Sequence, residues 1–343
     1  MVQLDYPCGD PPAAGETKEV APGVLWVRMP LPFALRWINL WLLEDGDGWT
    51  VVDTGVATDE CRGHWATIFA SPALRGKPVT HVLCTHMHPD HVGLAGWITQ
   101  QFDCPLWMSR LEYVVCRMLV ADTGREAPED GVRFYRAAGW DEEALQTYRQ
   151  RFGGFGRMVA AMPDSFHRLS AGEEVQVGGR RWHILGGDGH SPEHLCLWCP
   201  ELNVFISGDQ ILPRISSNVS VHPTEPDADP LTDWLESCAR LQREIPAGVL
   251  VLPSHNEPFT GAHARLQELI DWHEESLDKL EQVLRGGPQR AVDLFPALFP
   301  RAIGSQLLMF ATGEALAHVN CLIGRGRARR RTTAEGIWLY ESV

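Results

Sequence analysis

Short apolar runs alternate with amphipathic stretches through the first hundred residues. Strands are predicted at four such runs: Val24–Met29, Ile38–Leu43, Trp49–Val52 and Val79–Cys84. The sequence Asp45-Gly46-Asp47-Gly48 predicts a hairpin turn between the second and third. Helices are predicted at Asp59–Ser71 and from about Val92 to Gln101. This alternation predicts an α/β fold, preceded by an irregular leader over residues 1–20 that is rich in proline, glycine and charge.

A second series of predicted strands begins near residue 174. Its members are Glu174–Val177, Arg181–Leu185, Leu195–Cys199, Val204–Ser207 and Val249–Leu252. Between the two series, residues 109–165 interrupt the alternation with predicted helices at Leu111–Val120 and Glu142–Phe152. We interpret this segment as a helical insertion.

The pattern changes again after about residue 260. Three helices and a terminal hairpin are predicted there: Ala262–Leu284, Ala291–Leu298, Thr312–Leu322, and the strands Arg327–Thr332 and Ile337–Tyr340. The sequence thus predicts one domain over residues 1–260 and a small, winged-helix-like domain over residues 261–343.

Four candidate metal ligands follow the strand Val79–Cys84 within six positions. They are His86, His88, Asp90 and His91. Histidine and aspartate are donors for zinc and other first-row metals. Because alternate residues at a strand end project the same way, His86 and His88 can reach one ion. A turn into a helix would let Asp90 and His91 face a second ion.

Three further strand ends deliver residues of the same kind. His190, Asp209 and His255 each follow a predicted strand. Asp53 also ends a strand, within Asp53-Thr54-Gly55, where it would either hold a ligating histidine or cap its own turn. We interpret His194, close to His190, as a supporting residue. Ligand-type residues at several strand ends predict one metal centre at one edge of the fold.

These motifs resemble the metallo-β-lactamase-fold hydrolase superfamily over about residues 20–260. The resemblance implies a four-layer α/β/β/α sandwich with a dinuclear site. His86, His88 and His190 would hold the first metal, Asp90, His91 and His255 the second, and Asp209 would bridge them. Two zinc ions per chain are expected, although manganese, iron or cobalt suit the same ligands. One departure is Ser254, which stands where the family usually has glycine.

The expected reaction is metal-assisted hydrolysis. A hydroxide that bridges the two metals would attack an ester, thioester or lactone carbonyl of a small molecule, with Asp90 and Asp209 as catalytic residues. The helical insertion would lie over this site and shape substrate access. The C-terminal region resembles a domain that is appended both to glyoxalase-II-like thioesterases and to an RNA-cleaving relative. The alternative is therefore a phosphodiesterase or ribonuclease that binds nucleic acid through a basic wing, defined by Arg325, Arg327, Arg329, Arg330 and Arg331.

Composition narrows the choice of partners. The formal net charge of −14 weighs against a broad phosphate-binding surface, so nucleic acid is the less favoured partner. No apolar run approaches the roughly 20 residues that span a bilayer, and residues 1–7 lack the character of a signal peptide, so a cytoplasmic location is expected. Nine cysteines without a framework spacing predict reduced thiols, and we interpret Cys196 and Cys199 as structural. The predicted insertion and the long C-terminal helix have apolar faces, so a homodimer is possible.

Overall fold

A computed structural model of the chain describes residues 2–343, and two stacked β-sheets form its centre. The first sheet has seven strands in chain order: β1 (Thr17–Ala21), β2 (Val24–Pro30), β3 (Trp37–Asp45), β4 (Gly48–Val52), β5 (Val79–Leu83), β6 (Leu106–Met108) and β7 (His167–Arg168). The second sheet has five strands in the spatial order 12-11-10-9-8: β8 (Glu174–Val177), β9 (Arg180–Gly186), β10 (Leu195–Cys199), β11 (Val204–Gly208) and β12 (Leu250–Pro253).

Helices cover the outer faces of both sheets. They are α1 (Asp59–Phe69), α2 (Pro89–Val92), α3 (Ala95–Phe102), α4 (Arg110–Ala121), α5 (Glu129–Ala137), α6 (Glu142–Arg151), α7 (Pro230–Glu244), α8 (Ala262–Arg285), α9 (Phe295–Leu298) and α10 (Leu308–Gly324). A terminal hairpin joins β13 (Ala328–Thr332) to β14 (Trp338–Ser342). The predicted α/β sandwich is confirmed. Among residues 2–343, no helix combines the length and apolar character needed to cross a membrane.

Large apolar side chains fill the space between the sheets. Trp26 and Trp41, from neighbouring strands, stack with ring centroids 6.1 Å apart, and Trp182 packs in the same cluster from the other sheet. Because β4 pairs in parallel with β5, and β11 with β12, these strands present their carboxyl ends at one edge of the sandwich. This edge carries the candidate site.

The N-terminal segment and several helices differ from the elements predicted from the sequence. Residues 1–20 were predicted to be irregular throughout, but Thr17–Ala21 forms an edge strand that pairs with β2. Its mixed polar sequence hides the strand, since an edge strand buries little of its surface. The α5 and α7 helices were not predicted, and the single helix expected from Val92 to Gln101 is divided into α2 and α3.

The C-terminal elements share a core with the outer layer of the second sheet. Leu316 of α10 and Tyr340 of β14 belong to the same buried cluster as Trp234 of α7 and Phe205 of β11. The insertion joins this cluster through Tyr135, whereas α4 packs on the opposite side of the sandwich. The domain boundary at residue 260 and the winged-helix resemblance stay predictions.

Candidate metal centre

All seven residues predicted as metal ligands lie at the same edge of the sandwich. One ligand atom from each of His86, His88, His190 and Asp209 lies within 4.8 Å of the others in a first group. Asp90, His91 and His255 form a second group by the same measure. Apart from Asp209, which is expected to bridge the two metals, these memberships match the two sets that the family resemblance implies. The assignment of each residue as a ligand stays a prediction.

The side chain of Asp209 faces both groups. Its Oδ2 lies 3.4 Å from His190 Nε2 in the first group. Its Oδ1 lies 3.5 Å from His91 Nε2 and 3.6 Å from His255 Nε2 in the second. A carboxylate with one oxygen toward each group has the geometry of a bridging ligand.

Asp90 from α2 and His255 from the loop after β12 complete the second group. Asp90 Oδ2 lies 3.4 Å from His255 Nε2. Ser254 does not disturb this placement, because its backbone N–H donates to the Gly208 carbonyl oxygen at 3.1 Å and its carbonyl oxygen accepts from Asn39 N–H at 2.7 Å. The serine therefore stands in place of the usual glycine without displacing the next histidine.

Hydrogen bonds on the outer nitrogens orient three of the histidine rings. The Nδ1–H group of His190 donates to the Asn218 carbonyl oxygen at 2.7 Å, and that of His255 to the Trp37 carbonyl oxygen at 3.0 Å. His91 Nδ1 lies 2.8 Å from Asp53 Oδ2. Each bond leaves Nε2 free to face the centre, which is how outer partners orient metal-binding histidines.

Asp53 holds both ends of the His86–His91 segment through contacts with Thr85 and His91. It is fully buried, and its Oδ1 accepts a hydrogen bond from Thr85 N–H at 2.8 Å. Its backbone has φ of 60°, a left-handed conformation that non-glycine residues seldom adopt. Of the two roles predicted for Asp53, its contact with His91 fits the one that holds a histidine in place.

At His86, His88 and Asp209 the local environment favours the protonation states that bind cations. Burial lowers the pKa of His86 well below its usual value, and the neighbouring histidines lower it further. Burial, reinforced by His190, lowers the pKa of His88 to about 3. Burial alone would raise the pKa of Asp209, but the adjacent His255 and His91 hold it well below its usual value. Neutral imidazole and ionised carboxylate are the forms that coordinate metals. In the second group, burial would lower the pKa of His91 and His255, but the neighbouring carboxylates raise it.

Three buried atoms at the centre have no hydrogen-bond partner. They are His91 Nε2, His190 Nε2 and Asp209 Oδ1. A buried polar atom without a partner costs about 1–3 kcal/mol, so a cluster of them facing one point is unfavourable in the protein alone. A cation in each of the two groups would satisfy these atoms. The residues present therefore fit a bound metal.

His194 supports Asp209 and belongs to neither group. Its Nε2 accepts a hydrogen bond from Asp209 N–H at 3.2 Å, as expected of a supporting residue. The ring lies against Gly208, where a Cβ atom would come within 2.4 Å of His194 Nε2. Gly208 also has φ of 53°, so this strand end requires glycine.

Glu112 is a supporting residue that the sequence analysis missed. Its buried carboxylate comes from α4 in the insertion and accepts three hydrogen bonds. Oε2 accepts from Met87 N–H at 2.9 Å, between two predicted ligands, while Oε1 accepts from Ser191 Oγ at 2.5 Å and from Glu193 N–H at 2.8 Å. Glu112 therefore ties the His86–His91 loop to the loop that carries His190.

Asn218 and Glu314 form a second missed connection. The Asn218 carbonyl oxygen accepts from His190, and its Nδ2–H group donates to Glu314 Oε2 at 2.7 Å. Glu314 lies on α10, so a C-terminal helix contacts the loop behind a predicted ligand. Burial raises the pKa of Glu314 to about 7, although the bond from Asn218 opposes this shift.

Comparison with known proteins agrees with this geometry. Residues 38–255 match the family model described as the metallo-beta-lactamase superfamily. The chain belongs to this superfamily. Residues 277–343 match the model described as the metallo-beta-lactamase-like C-terminal domain. The family resemblance inferred from the motifs is confirmed.

Relatives extend over nearly the whole chain. A beta-lactamase domain protein from Burkholderia ambifaria is 40% identical, with a TM-score of 0.90, over 99% of this chain and 98% of that one. A metallo-beta-lactamase family protein from Thermus thermophilus is 28% identical, with a TM-score of 0.78, over 95% and 100%. The "Probable metallo-hydrolase YqjP" of Bacillus subtilis is 25% identical over 87% of this chain and 92% of its own length. The protein is thus a metallo-hydrolase of this superfamily.

Proposed function

We propose that the protein is a dinuclear metal-dependent hydrolase of small-molecule acyl compounds, with thioesters as the preferred class and esters and lactones as close alternatives. The observation that carries the dinuclear part is the position of Asp209 between the two groups of ligand atoms. A single bound metal in the first group would need only one of the two Asp209 carboxylate oxygens. The presence of the second oxygen beside His91 and His255 supports two adjacent cations.

Four residues of the site would have separate roles in the reaction. Bound cations would polarise the acyl oxygen and lower the pKa of a water toward neutrality. Asp209 would fix the distance between the two groups. Asp90, whose carboxylate lies 3.4 Å from His255 Nε2 and 3.7 Å from His91 Nε2, would accept the proton of the attacking water. His190 and His255, held by backbone carbonyl oxygens, would keep their rings fixed as charge develops.

The thioester class is supported by the names of relatives. "Acyl-coenzyme A thioesterase MBLAC2" of Gallus gallus is 24% identical over 71% of this chain and 80% of its own length. "Atrochrysone carboxyl ACP thioesterase" of Aspergillus fumigatus is 24% identical over 61% of this chain, although over only 36% of its own length. Both names describe cleavage of an acyl–sulfur bond. Zinc is the metal we propose, since its preferred donors include histidine and aspartate.

The basic wing gives little support to the nucleic-acid alternative. Each of its five arginines has an acidic partner within 4.0 Å. Arg325 pairs with Glu274 at 2.7 Å, and Arg327 with Asp278 at 2.6 Å. Guanidinium groups that are already paired would have to exchange these partners for phosphates, which weakens any gain from binding RNA.

The cytoplasmic location, the small-molecule partner and the homodimer stay predictions.

A substrate panel on zinc-loaded protein tests the proposal. It should include a thioester, an aryl ester, a lactone, a β-lactam, a phosphodiester and single-stranded RNA. We expect kcat/KM for the thioester to exceed that for the phosphodiester by at least 100-fold. His88→Ala and Asp209→Ala should lose nearly all turnover and bind fewer metal ions, whereas His64→Ala on α1 should keep both. Faster cleavage of RNA or the phosphodiester would refute the acyl assignment, and full activity with one metal per chain would refute the dinuclear one.

A further inference from the structure

A small basic cavity lies beside His255 and is outside the metal centre. Its volume is about 200 Å³. The lining residues are Pro11, Trp26, Arg28, Arg214, Asn256 and Glu257. Asn256 directly follows the predicted ligand His255. The cavity is therefore a neighbour of the reaction site, built by β2, the N-terminal segment and two loops at the active edge.

Strand pairing fixes the position of the cavity floor. Arg28 pairs with Asn39 across the β2–β3 ladder. The Asn39 side chain accepts a hydrogen bond from Trp26 Nε1–H at 2.9 Å and donates to the Asn256 carbonyl oxygen at 2.5 Å. These bonds hold the loop after His255 against the two strands. The cavity is a preformed feature of the fold.

The Arg28 guanidinium is held in place without a direct acidic partner. Its central carbon lies 4.6 Å from the centre of the Trp37 ring, so the group is stacked on an aromatic face. Within residues 2–343, the Arg28 side chain makes no hydrogen bond or ion pair. Partial burial lowers its pKa, and the more distant charge of Glu257 opposes this shift. A planar group with five free N–H donors, positioned and partly dehydrated, suits the oxygens of an anion.

The other two charged residues of the cavity, Arg214 and Glu257, pair with each other, so Arg28 can bind a ligand. Arg214 is stacked over Tyr6 at 4.9 Å and donates through Nε to Glu257 Oε2 at 3.0 Å. Glu257 is the one carboxylate among the lining residues, and it forms an ion pair with Arg214. Two arginines and one glutamate leave the cavity with a net positive charge, in a protein whose formal net charge is −14.

We propose that this cavity binds an oxyanion, a phosphate or a carboxylate, on the part of the substrate that lies away from the scissile bond. The proposal rests on the proposed function, since it assigns a substrate feature to the same reaction site. Arg28 would bind the oxyanion through paired N–H groups, while Trp37 holds the guanidinium plane in position. The Trp37 carbonyl oxygen also accepts the Nδ1–H bond of His255, so the anion site and the metal centre share one residue.

Three thioesters with the same acyl group test the inference. Their thiols are coenzyme A, which carries phosphates, glutathione, which carries carboxylates, and N-acetylcysteamine, which is neutral. We expect Arg28→Gln to raise KM about tenfold for whichever anionic thioester the wild type prefers, and to leave the neutral one within twofold. Preference for coenzyme A would identify phosphate as the ligand, and preference for glutathione would identify carboxylate. Arg243→Gln, an equal change of charge on α7, should affect none of them.

Binding measured without turnover separates this inference from the proposed function. Desulfo-coenzyme A and S-methylglutathione lack a free thiol, and their affinity for the zinc-loaded enzyme can be measured by calorimetry. Arg28→Gln should weaken the preferred one about tenfold even if no thioester is cleaved. Glu257→Gln should tighten it about threefold, because it releases Arg214, and damage to the fold cannot produce that gain. The anion site is refuted if neither compound binds, or if Arg28→Gln and Arg243→Gln have equal effects.

Discussion

Replacing Glu112 tests whether the metal centre depends on a residue outside the ligand motifs. Its carboxylate accepts hydrogen bonds from Met87, Ser191 and Glu193, which lie in two different ligand loops. The carboxylate is fully buried, so bulk water does not reach these three donors in the native protein. Glu112→Ala would leave three donors without an acceptor, and Glu112→Gln would leave one donor facing an amide N–H group.

The size of the effect follows from this count. Each buried donor that loses its acceptor costs about 1–3 kcal/mol, so we expect Glu112→Gln to lower the free energy of unfolding by about 1–3 kcal/mol. For Glu112→Ala we expect a loss of about 3–5 kcal/mol, because water that enters the vacated space recovers part of the sum for three donors. Loosening both loops should also weaken metal binding by about 10- to 100-fold, the usual effect of removing an outer partner of a metal site.

Two measurements check these values. Urea unfolding of zinc-loaded and chelator-treated protein gives the stability, and competition with a chelating dye gives the metal affinity. Glu143→Gln is the matched control, because Glu143 is an exposed glutamate on α6 in the same insertion. It should change neither quantity. If Glu112→Ala keeps wild-type stability and metal affinity, Glu112 does not hold the two loops.

Three further predictions concern residues at increasing distance from the centre. Asp53→Asn should weaken zinc binding about 10- to 100-fold in chelator competition, since it removes the charge that holds His91; unchanged affinity would contradict this role. Glu314 has a folded-state pKa raised from 4.5 to about 7, so its contribution to stability is full below pH 4.5 and is lost as the pH rises through 7. Urea unfolding should therefore show Glu314→Gln gaining up to about 3 kcal/mol over wild type between pH 5 and pH 8, and a constant difference would refute the shift. Neither the wild type nor the variant with alanine at Arg327, Arg329 and Arg331 should retain RNA at low salt, and both should turn over the thioester equally; RNA binding by the wild type that this change abolishes would instead support the nucleic-acid alternative.

The residues at the centre could be predicted because their signal is local in the sequence. His86, His88, Asp90 and His91 lie within six positions, and no packing requirement explains such a concentration. The other three candidates each follow an apolar run that predicts a strand. Ligand-type residues at several strand ends predict a common edge, and the family resemblance implies their division between two metals. The parallel pairs β4–β5 and β11–β12 do bring their carboxyl ends to that edge.

The residues that support the centre have no such signal. Glu112 lies between Leu111 and Tyr113 on an amphipathic helix, where a glutamate is ordinarily exposed to solvent. Its partners are 25 and about 80 positions away in the chain. Asn218 and Glu314 are separated by 96 positions. A single polar residue acquires its role only when the fold buries it, and burial of this kind follows from tertiary packing.

The basic wing shows which charges the sequence predicts and which contacts only the fold adds. Alternate arginines on a strand predict a phosphate track, because charge along one element is visible without knowledge of its neighbours. The partners of Arg325 and Arg327 are Glu274, Asp278 and Glu281 on α8, at spacings of four and three residues. Such spacing places the three acids on one face of a helix, so the sequence does contain a complementary acidic stripe. What it lacks is the packing of α8 beside the hairpin, and that contact gives Arg325 and Arg327 acidic partners within the chain.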